Sequence, residues 1–190
     1  MFLPIYALLA STVLGMNIIP VLMPPTWTVL AFFVYKYDLM LIPVVLIGAS
    51  CATLGRIILA AISDKYFRRI LSKDSQANYL SIGQYLNSHQ SVTVPLIITY
   101  AFFPIPSNDV FIAAGFAKVN VKLLAMSFFV GRLISYTFWV SLTQKFGDGL
   151  VDIFSRHYSR GWPIAIEIAG LLILYFIGKI AWKKVLAKIS

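Results

Sequence analysis

The apolar residues of this chain fall into long blocks, broken by short polar or proline-rich interruptions and separated by a few longer polar stretches. Residues 91–117, SVTVPLIITYAFFPIPSNDVFIAAGFA, set the pattern: an apolar segment interrupted at its centre by Pro104, Ile105, Pro106, Ser107, Asn108 and Asp109. A helix rises about 1.5 Å per residue, so crossing a hydrocarbon core of roughly 30 Å takes about 20 apolar residues. The two prolines remove amide donors and disfavour helix at the residue before each, while Ser, Asn and Asp start helices and turns. Each flank is about a dozen residues long, too short to cross alone. The pattern predicts a re-entrant hairpin that enters and leaves on one side. Its tip should line a cavity, because irregular backbone at membrane depth needs protein or water around it.

The same reasoning applies at the start of the chain. Residues 1–35 carry no charge, which at helical rise is about 50 Å, too long for one span and short for two with a turn. Pro20, Pro24 and Pro25 interrupt the run and predict a first hairpin with Asn17 and residues 20–28 near its tip. A pair of short tilted spans is the alternative. Residues 39–62 predict a transmembrane helix, with Gly48, Ala49, Ser50, Ala52 and Gly55 for close helix contact. Arg56 stands about two turns from its end, placed to snorkel outward or to serve function. Residues 64–90 are polar, with apolar residues at loosely helical spacing, as in an interfacial amphipathic segment or a solvated linker. Residues 123–143 predict a second span with Gly131 and Arg132 near its middle, where an arginine needs a partner or water. Residues 144–161 read as interfacial, and 162–182 as a third span with tryptophans at both ends and Glu167 in its first third.

These elements predict an all-α polytopic membrane protein folded as a single integral membrane domain over residues 1–190. Its parts are a hairpin and transmembrane helix (1–63), an amphipathic linker (64–90), a second hairpin and helix (91–146), and an interfacial segment, last transmembrane helix and basic tail (147–190). The two hairpin-plus-helix units share an echo, Pro25-Thr26 and Lys36-Tyr37-Asp38 against Pro106-Ser107 and Lys118-Val119-Asn120. With one crossing between them they are inverted, a plan recurrent in transporters.

Composition agrees: 59% of residues are hydrophobic and 12% charged, and the mean hydropathy is +0.83. A net charge of +9 beside apolar spans suits anionic lipid headgroups rather than nucleic acid. Ten lysines and arginines (Lys65, Arg68, Arg69, Lys73, Lys118, Lys122, Lys179, Lys183, Lys184 and Lys188) share one side in this topology, against four on the other (Lys36, Lys145, Arg156 and Arg160). This places the C-terminal tail in the cytoplasm, and the cytoplasmic membrane of a prokaryote is the expected location. Cys51 alone excludes an intrachain disulfide or a cysteine zinc site. The uncharged N-terminal run lacks a cationic n-region and is expected to be retained.

The residues Phe103-Pro104-Ile105-Pro106-Ser107, Ala113-Ala114-Gly115 and Asn120, and more weakly Asn17, Pro20, Pro24 and Pro25, together with the order of elements over residues 17–146, resemble the DedA family, also called the VTT or SNARE-associated family. The resemblance implies movement of lipid between leaflets: flipping of phospholipids or polyprenyl phosphates in prokaryotes, scrambling in eukaryotic relatives. The acidic residues of the bacterial pattern fall here at Met16 and about Thr28, and its loop arginines at Ala101 and Ser107. Those departures favour uncoupled scrambling over proton-coupled transport.

Candidate headgroup-binding residues are Arg132, Asp109, Asn108, Ser107, Arg56 and Asn17, with Pro20, Pro24, Pro25, Pro104 and Pro106 shaping the loop tips. Arg132 reads as a phosphate-binding cation or as a structural partner of Asp109 or Glu167. Asp109 reads as a helix-start residue with Ser107 as cap, as a carboxylate facing the path, or both. Ser107 has no accompanying base or oxyanion motif, so the sequence points to no enzyme. His89 and His157 have no metal-site spacing, and the reading implies no metal and no cofactor. The expected activity is a lipid scramblase or flippase, with membrane phospholipid or polyprenyl phosphate as its partner. A proton-coupled small-solute or cation transporter remains the alternative, an assembly factor without transport is a third reading, and a homo-oligomer stays open.

The charge count generates a first test. In a Cys51→Ser background, cysteines replacing Lys36 and Lys184 should react with a membrane-impermeant maleimide from opposite sides, Lys184→Cys only from the cytoplasm. Equal labelling of both from one side would reverse or dissolve the topology.

Overall fold

Proline and chain length dictate where the helices stop. In the computed structural model, which describes residues 3–19, 24–103, 107–146 and 162–186, the first uncharged run forms α1 (Leu3–Ile18) and α2 (Thr26–Tyr37). With 16 and 12 residues, they are about 24 and 18 Å long, both short of a roughly 30 Å hydrocarbon core. The second run breaks in the same manner into α5 (Gln90–Phe102) and α6 (Asn108–Ala117). Between these pairs run the long helices α3 (Leu41–Lys65) and α7 (Val121–Phe146), each long and apolar enough to cross a membrane. After a 3-10 turn, Phe67–Ile70, comes α4 (Lys73–Ser88); α8 (Trp162–Lys179) and α9 (Trp182–Leu186) close the described chain. No strand occurs among the described residues. Of the expected tip residues, Pro20, Pro104 and Pro106 lie outside the described residues, as does the 147–161 stretch expected to be interfacial.

Helices α3 and α7 form the spine. Helix α1 packs along α3 as α5 packs along α7, and α2 leans on α7 as α6 leans on α3. Small residues set these approaches. A Cβ added at Gly55 would stand 2.7 Å from the Cβ of Asn17 and 3.0 Å from the Leu14 carbonyl oxygen. One added at Gly131 would stand 2.6 Å from the Cβ of Ala101 and 2.9 Å from the Ile98 carbonyl oxygen. In both units a Gly-Arg pair on the long helix receives positions i and i+3 of the short one. The connections correspond as well: Asp38 and Lys118, the residues ending α2 and α6, both adopt left-handed backbone, with φ of 48° and 55°. Asp38 therefore matches Lys118, two positions away from the match suggested by the Lys36-Tyr37-Asp38 echo.

The 64–90 stretch is not a solvated linker. Helix α4 starts on a Ser72 cap that accepts from the Ser75 amide at 3.2 Å, and its apolar side packs on α6, α8 and α9. Tyr79 is buried and its hydroxyl donates to the Leu174 carbonyl at 2.5 Å. Burial pushes that phenol up to about 12, so it remains a donor at neutral pH. Asn78 donates to the Gly178 carbonyl at 2.9 Å, and Asn87 ties the end of α4 to the α6–α7 connection by bonding Lys118 and Asn120. The expected third span is also modified: its helix ends at Lys179, and Trp182 begins a separate short helix. The Trp182 indole donates to the Ile177 carbonyl at 2.8 Å, closing the break.

Two buried clusters flank the spine. One gathers Leu9, Val13, Trp27, Leu30, Val44, Tyr136 and Val140 from α1, α2, α3 and α7; the other gathers Leu59, Tyr79, Ile97, Phe111, Phe128 and Leu174. Polar residues join these apolar clusters in the interior, while large apolar residues also line the outside. Asn17, Arg56, Thr93, Asn108, Arg132 and Ser135 are buried, whereas Leu3, Ile42, Leu96, Met126, Ile173 and Phe176 are exposed.

A glycine pair tests this packing. A Cβ at Gly83 would overlap the Ala117 carbonyl, while nothing lies within 4 Å of one at Gly15. Gly83→Ala is expected to lose about 1 to 3 kcal/mol of stability through overpacking, and Gly15→Ala, inside α1, to be neutral or to gain up to about 1 kcal/mol. Thermal unfolding in detergent reads both, and equal shifts would refute the α4–α6 contact.

Candidate functional site

A short helix ending among apolar side chains leaves carbonyls without intrahelical partners. The two broken segments solve this differently, and the difference isolates one cation. At the end of α1, the Asn17 carbonyl accepts from an Arg56 guanidinium N–H at 3.3 Å. The Asn17 side chain donates to the Val13 carbonyl at 2.8 Å and to the Thr26 hydroxyl at 3.2 Å, joining α1 to the start of α2. At the end of α5, the Phe102 carbonyl is served instead by the Ser135 hydroxyl at 2.9 Å and the Trp139 indole N–H at 3.3 Å. Arg132, which follows Gly131 as Arg56 follows Gly55, is thereby released from capping α5.

Arg56 is only 6% exposed, so it does not snorkel outward; its guanidinium closes the end of α1. Asn17 likewise joins helices. Arg132 is 7% exposed. One guanidinium N–H donates to the Ser107 hydroxyl at 3.3 Å, and the guanidinium carbon lies 4.9 Å from the Phe128 ring centroid and 5.4 Å from that of Tyr136. Phe128, Arg132 and Tyr136 lie at i, i+4 and i+8 and so share a face of α7. The Nε of Arg132 and the hydroxyl of Tyr136 are buried with no hydrogen-bond partner among the described residues, as is the Nε of Arg56, so the two arginines differ in what their terminal N–H groups serve. Leaving such a group unsatisfied costs about 1 to 3 kcal/mol, more when it is charged. Among the described residues Arg132 forms no ion pair, so pairing with Asp109 is not its role.

Ser107 occupies the N-cap position of α6, but its side chain makes no capping bond. The expected cap is replaced by the contact with Arg132, which brings the guanidinium to the N-terminal end of α6, the positive end of its dipole. Asn108 is buried beside it. Asp109 stands in the first turn of α6, yet it faces away, against Gly170 of α8, where a Cβ would collide with its carboxylate. Pro25 forms the N-cap position of α2, and its carbonyl accepts from the Thr28 hydroxyl at 2.7 Å. Pro24 precedes it without regular structure. The side chain of Glu167 lies outside the described residues.

The structure thus brings Arg132, Ser107 and Asn108 together, groups Arg56 with Asn17, and sends Asp109 elsewhere. Sequence reasoning missed Ser135, Tyr136 and Trp139. The i+3, i+4 and i+7 spacing from Arg132 was their available signal. Trp139 also stacks on Trp27 at 5.6 Å between ring centroids, so it touches the start of α2 and the end of α5. The arrangement can offer a buried guanidinium N–H and a phenol to an acceptor, the chemistry of phosphate or carboxylate recognition. No family model, curated protein or solved structure matches the chain.

The division of labour between the two arginines is testable by stability alone. Arg56→Met leaves the α1 carbonyl unsatisfied and should cost about 1 to 3 kcal/mol. Arg132→Met removes a buried charge with unbonded N–H while keeping the stem, and should be neutral or stabilising by about 1 kcal/mol or more. Thermal unfolding of both variants checks the sign, and two equal losses would make both arginines structural.

Proposed function

We propose that this chain is a multi-pass membrane protein that carries phospholipid or polyprenyl-phosphate headgroups between leaflets, as a scramblase or flippase. In this reading α1–α2 and α5–α6 are re-entrant hairpins opening from opposite sides, and α3 and α7 cross the bilayer. The buried polar residues and exposed apolar ones support a lipid surrounding. The repeated pairing of α1 with α3 and α5 with α7, and the exchange of α2 and α6 onto the opposite long helix, support an inverted repeat. Resemblance of the 103–107 and 113–115 motifs to the DedA family points the same way.

The observation that carries the reading is Arg132: buried, relieved of capping by Ser135 and Trp139, and, among the described residues, with an Nε and a Tyr136 hydroxyl on the same helix face that lack hydrogen-bond partners. A phosphate oxygen can accept from both, and the N-terminal end of α6 adds to the attraction. The headgroup would pass the tips on this cation while its tails stay in lipid. Arg56 contributes by fixing the first tip, not by binding.

Reconstitution into liposomes tests the proposal. Transbilayer exchange of phosphate-bearing reporter lipids should exceed that of protein-free vesicles, and Arg132→Gln should slow anionic reporters at least about tenfold, the loss of a charge-assisted bond. No acceleration with anionic, zwitterionic or polyprenyl-phosphate reporters would overturn it. Equal slowing of every reporter by Arg132→Gln would assign Arg132 to the scaffold.

A further inference from the structure

Helices α4, α5, α6 and α8 enclose a cavity of about 680 Å³, within the roughly 300–1,000 Å³ typical of ligand pockets. Arg132 takes no part in its wall, which is hydrocarbon over most of its area, from residues such as Ile82, Leu86, Ile97, Val110 and Leu174. The cavity has two distinct ends. At the inner end, where α6 begins, the Asp109 carboxylate rests against Gly170 of α8. At the outer end α4 lies across the ends of α6 and α8: a Cβ on Gly83 would overlap the Ala117 carbonyl, and Asn78 donates to the Gly178 carbonyl at 2.9 Å. Along α8 the wall runs from Ala169 to Ile177, about 12 Å at helical rise.

Cations border the outer end. Lys118 stands between the lining residues Ala117 and Val119, Lys179 two residues after Ile177, and Lys183 and Lys184 directly after Trp182, which also belongs to the wall. All four are exposed. The Lys179 ammonium lies 5.3 Å from the ring centroid of Tyr175, itself exposed. Asp74, next to Ser75, which packs near Gly178, adds one carboxylate to this group. The cavity also opens sideways between α5 and α8, where the lining residues Leu96 and Ile173 are each 58% exposed. An apolar chain can enter there while a charged head stays at the outer end.

We infer that this cavity binds an anionic lipid, one hydrocarbon chain between α4, α5, α6 and α8 and its phosphate or carboxylate head among Lys118, Lys179, Lys183 and Lys184. Burial of the chain against the apolar wall supplies affinity. The head supplies selectivity, because lysines at a membrane surface attract anionic headgroups and form charge-assisted bonds with them. A choline head brings a cation of its own among the lysines, so zwitterionic lipids bind more weakly. The head meets only the outer end, and nothing is required of Asp109. This inference shares the membrane placement of the proposed function but neither its transport activity nor Arg132. Binding is read directly, so failure of lipid exchange leaves it standing, and its own failure leaves the Arg132 reading standing.

Trp182 in the wall reports binding, since a chain carrying bromine should quench its fluorescence. The full chain in mild detergent is titrated with chain-brominated phosphatidylglycerol, phosphatidylcholine and hexadecanoate, and the quenching that Trp182→Phe removes is followed. Phosphatidylglycerol or hexadecanoate should half-saturate at a concentration at least about tenfold below phosphatidylcholine, and the tighter of the two identifies the head as phosphate or carboxylate. Lys118→Gln, Lys179→Gln, Lys183→Gln and Lys184→Gln combined should bring anionic and zwitterionic lipids within about threefold of each other. Ala113→Phe, which fills the cavity, should abolish the quenching, and Arg132→Gln should leave it unchanged. Phosphatidylcholine binding as tightly as both anionic lipids, an unchanged preference in the fourfold lysine variant, unchanged quenching in Ala113→Phe, or loss of the preference in Arg132→Gln would each overturn the inference. Absence of quenching by every lipid would overturn it too. Should Ala113→Phe fail to fold, the tighter anionic lipid with a diazirine at its chain end decides on the unmodified chain: photolabelling within residues 110–114 of α6 supports the site, and labelling that spares them overturns it.

Discussion

Every broken helix in this chain must find partners for its terminal carbonyls among apolar neighbours, and the two solutions to that problem organise the molecule. The guanidinium of Arg56 closes α1 at Asn17, and Ser135 with Trp139 closes α5 at Phe102. In each case the partner comes from the long helix against which the short one packs, so satisfying the backbone also fixes the register of the pair. The glycines before the two arginines permit the close approach on which those bonds depend. Apolar side chains could not supply such bonds, which explains why polar residues are buried along α3 and α7 beside leucines such as Leu59 and Leu124.

The same logic separates two sequence-equivalent arginines. In the first unit the cation is consumed by a structural demand, and in the second a serine and a tryptophan take that demand over. An arginine retained at 7% exposure without a capping duty imposes a desolvation cost of several kcal/mol on folding. A bound anion would offset that cost, which is the sense the proposed headgroup site gives to the inequality of the two units.

Much of this was legible in the residues themselves. The proline clusters at 20–25 and 104–106 and the uncharged runs marked where the short helices end and the long helices run, since helix length and proline geometry are local properties. Side-chain direction was not legible. Asp109 and Ser107 are two residues apart in one helix turn, yet one faces α8 and the other Arg132, and nothing in the local sequence says which neighbour each face meets. The capping role of Arg56 was hidden for the same reason: snorkelling and capping use the same side chain, and only the position of α1 decides between them. The polarity of residues 64–90 suggested exposure, but their tyrosine and asparagine side chains bond carbonyls of α8 over about a hundred residues of chain.

The stack of Trp27 on Trp139 ties the start of α2 to the long helix α7. Trp139 holds the start of α2 through its ring and the end of α5 through its N–H. Displacing the start of α2 alone forfeits an aromatic contact of about 1 kcal/mol, and displacing the end of α5 alone forfeits a hydrogen bond of about 1 kcal/mol, making either excursion about fivefold rarer than a joint one. The start of α2 and the end of α5 are thus coupled through one residue of α7. In the proposed lipid carrier, such coupling would favour a continuously lined flank along which a headgroup slides over a pair of doors opened in alternation.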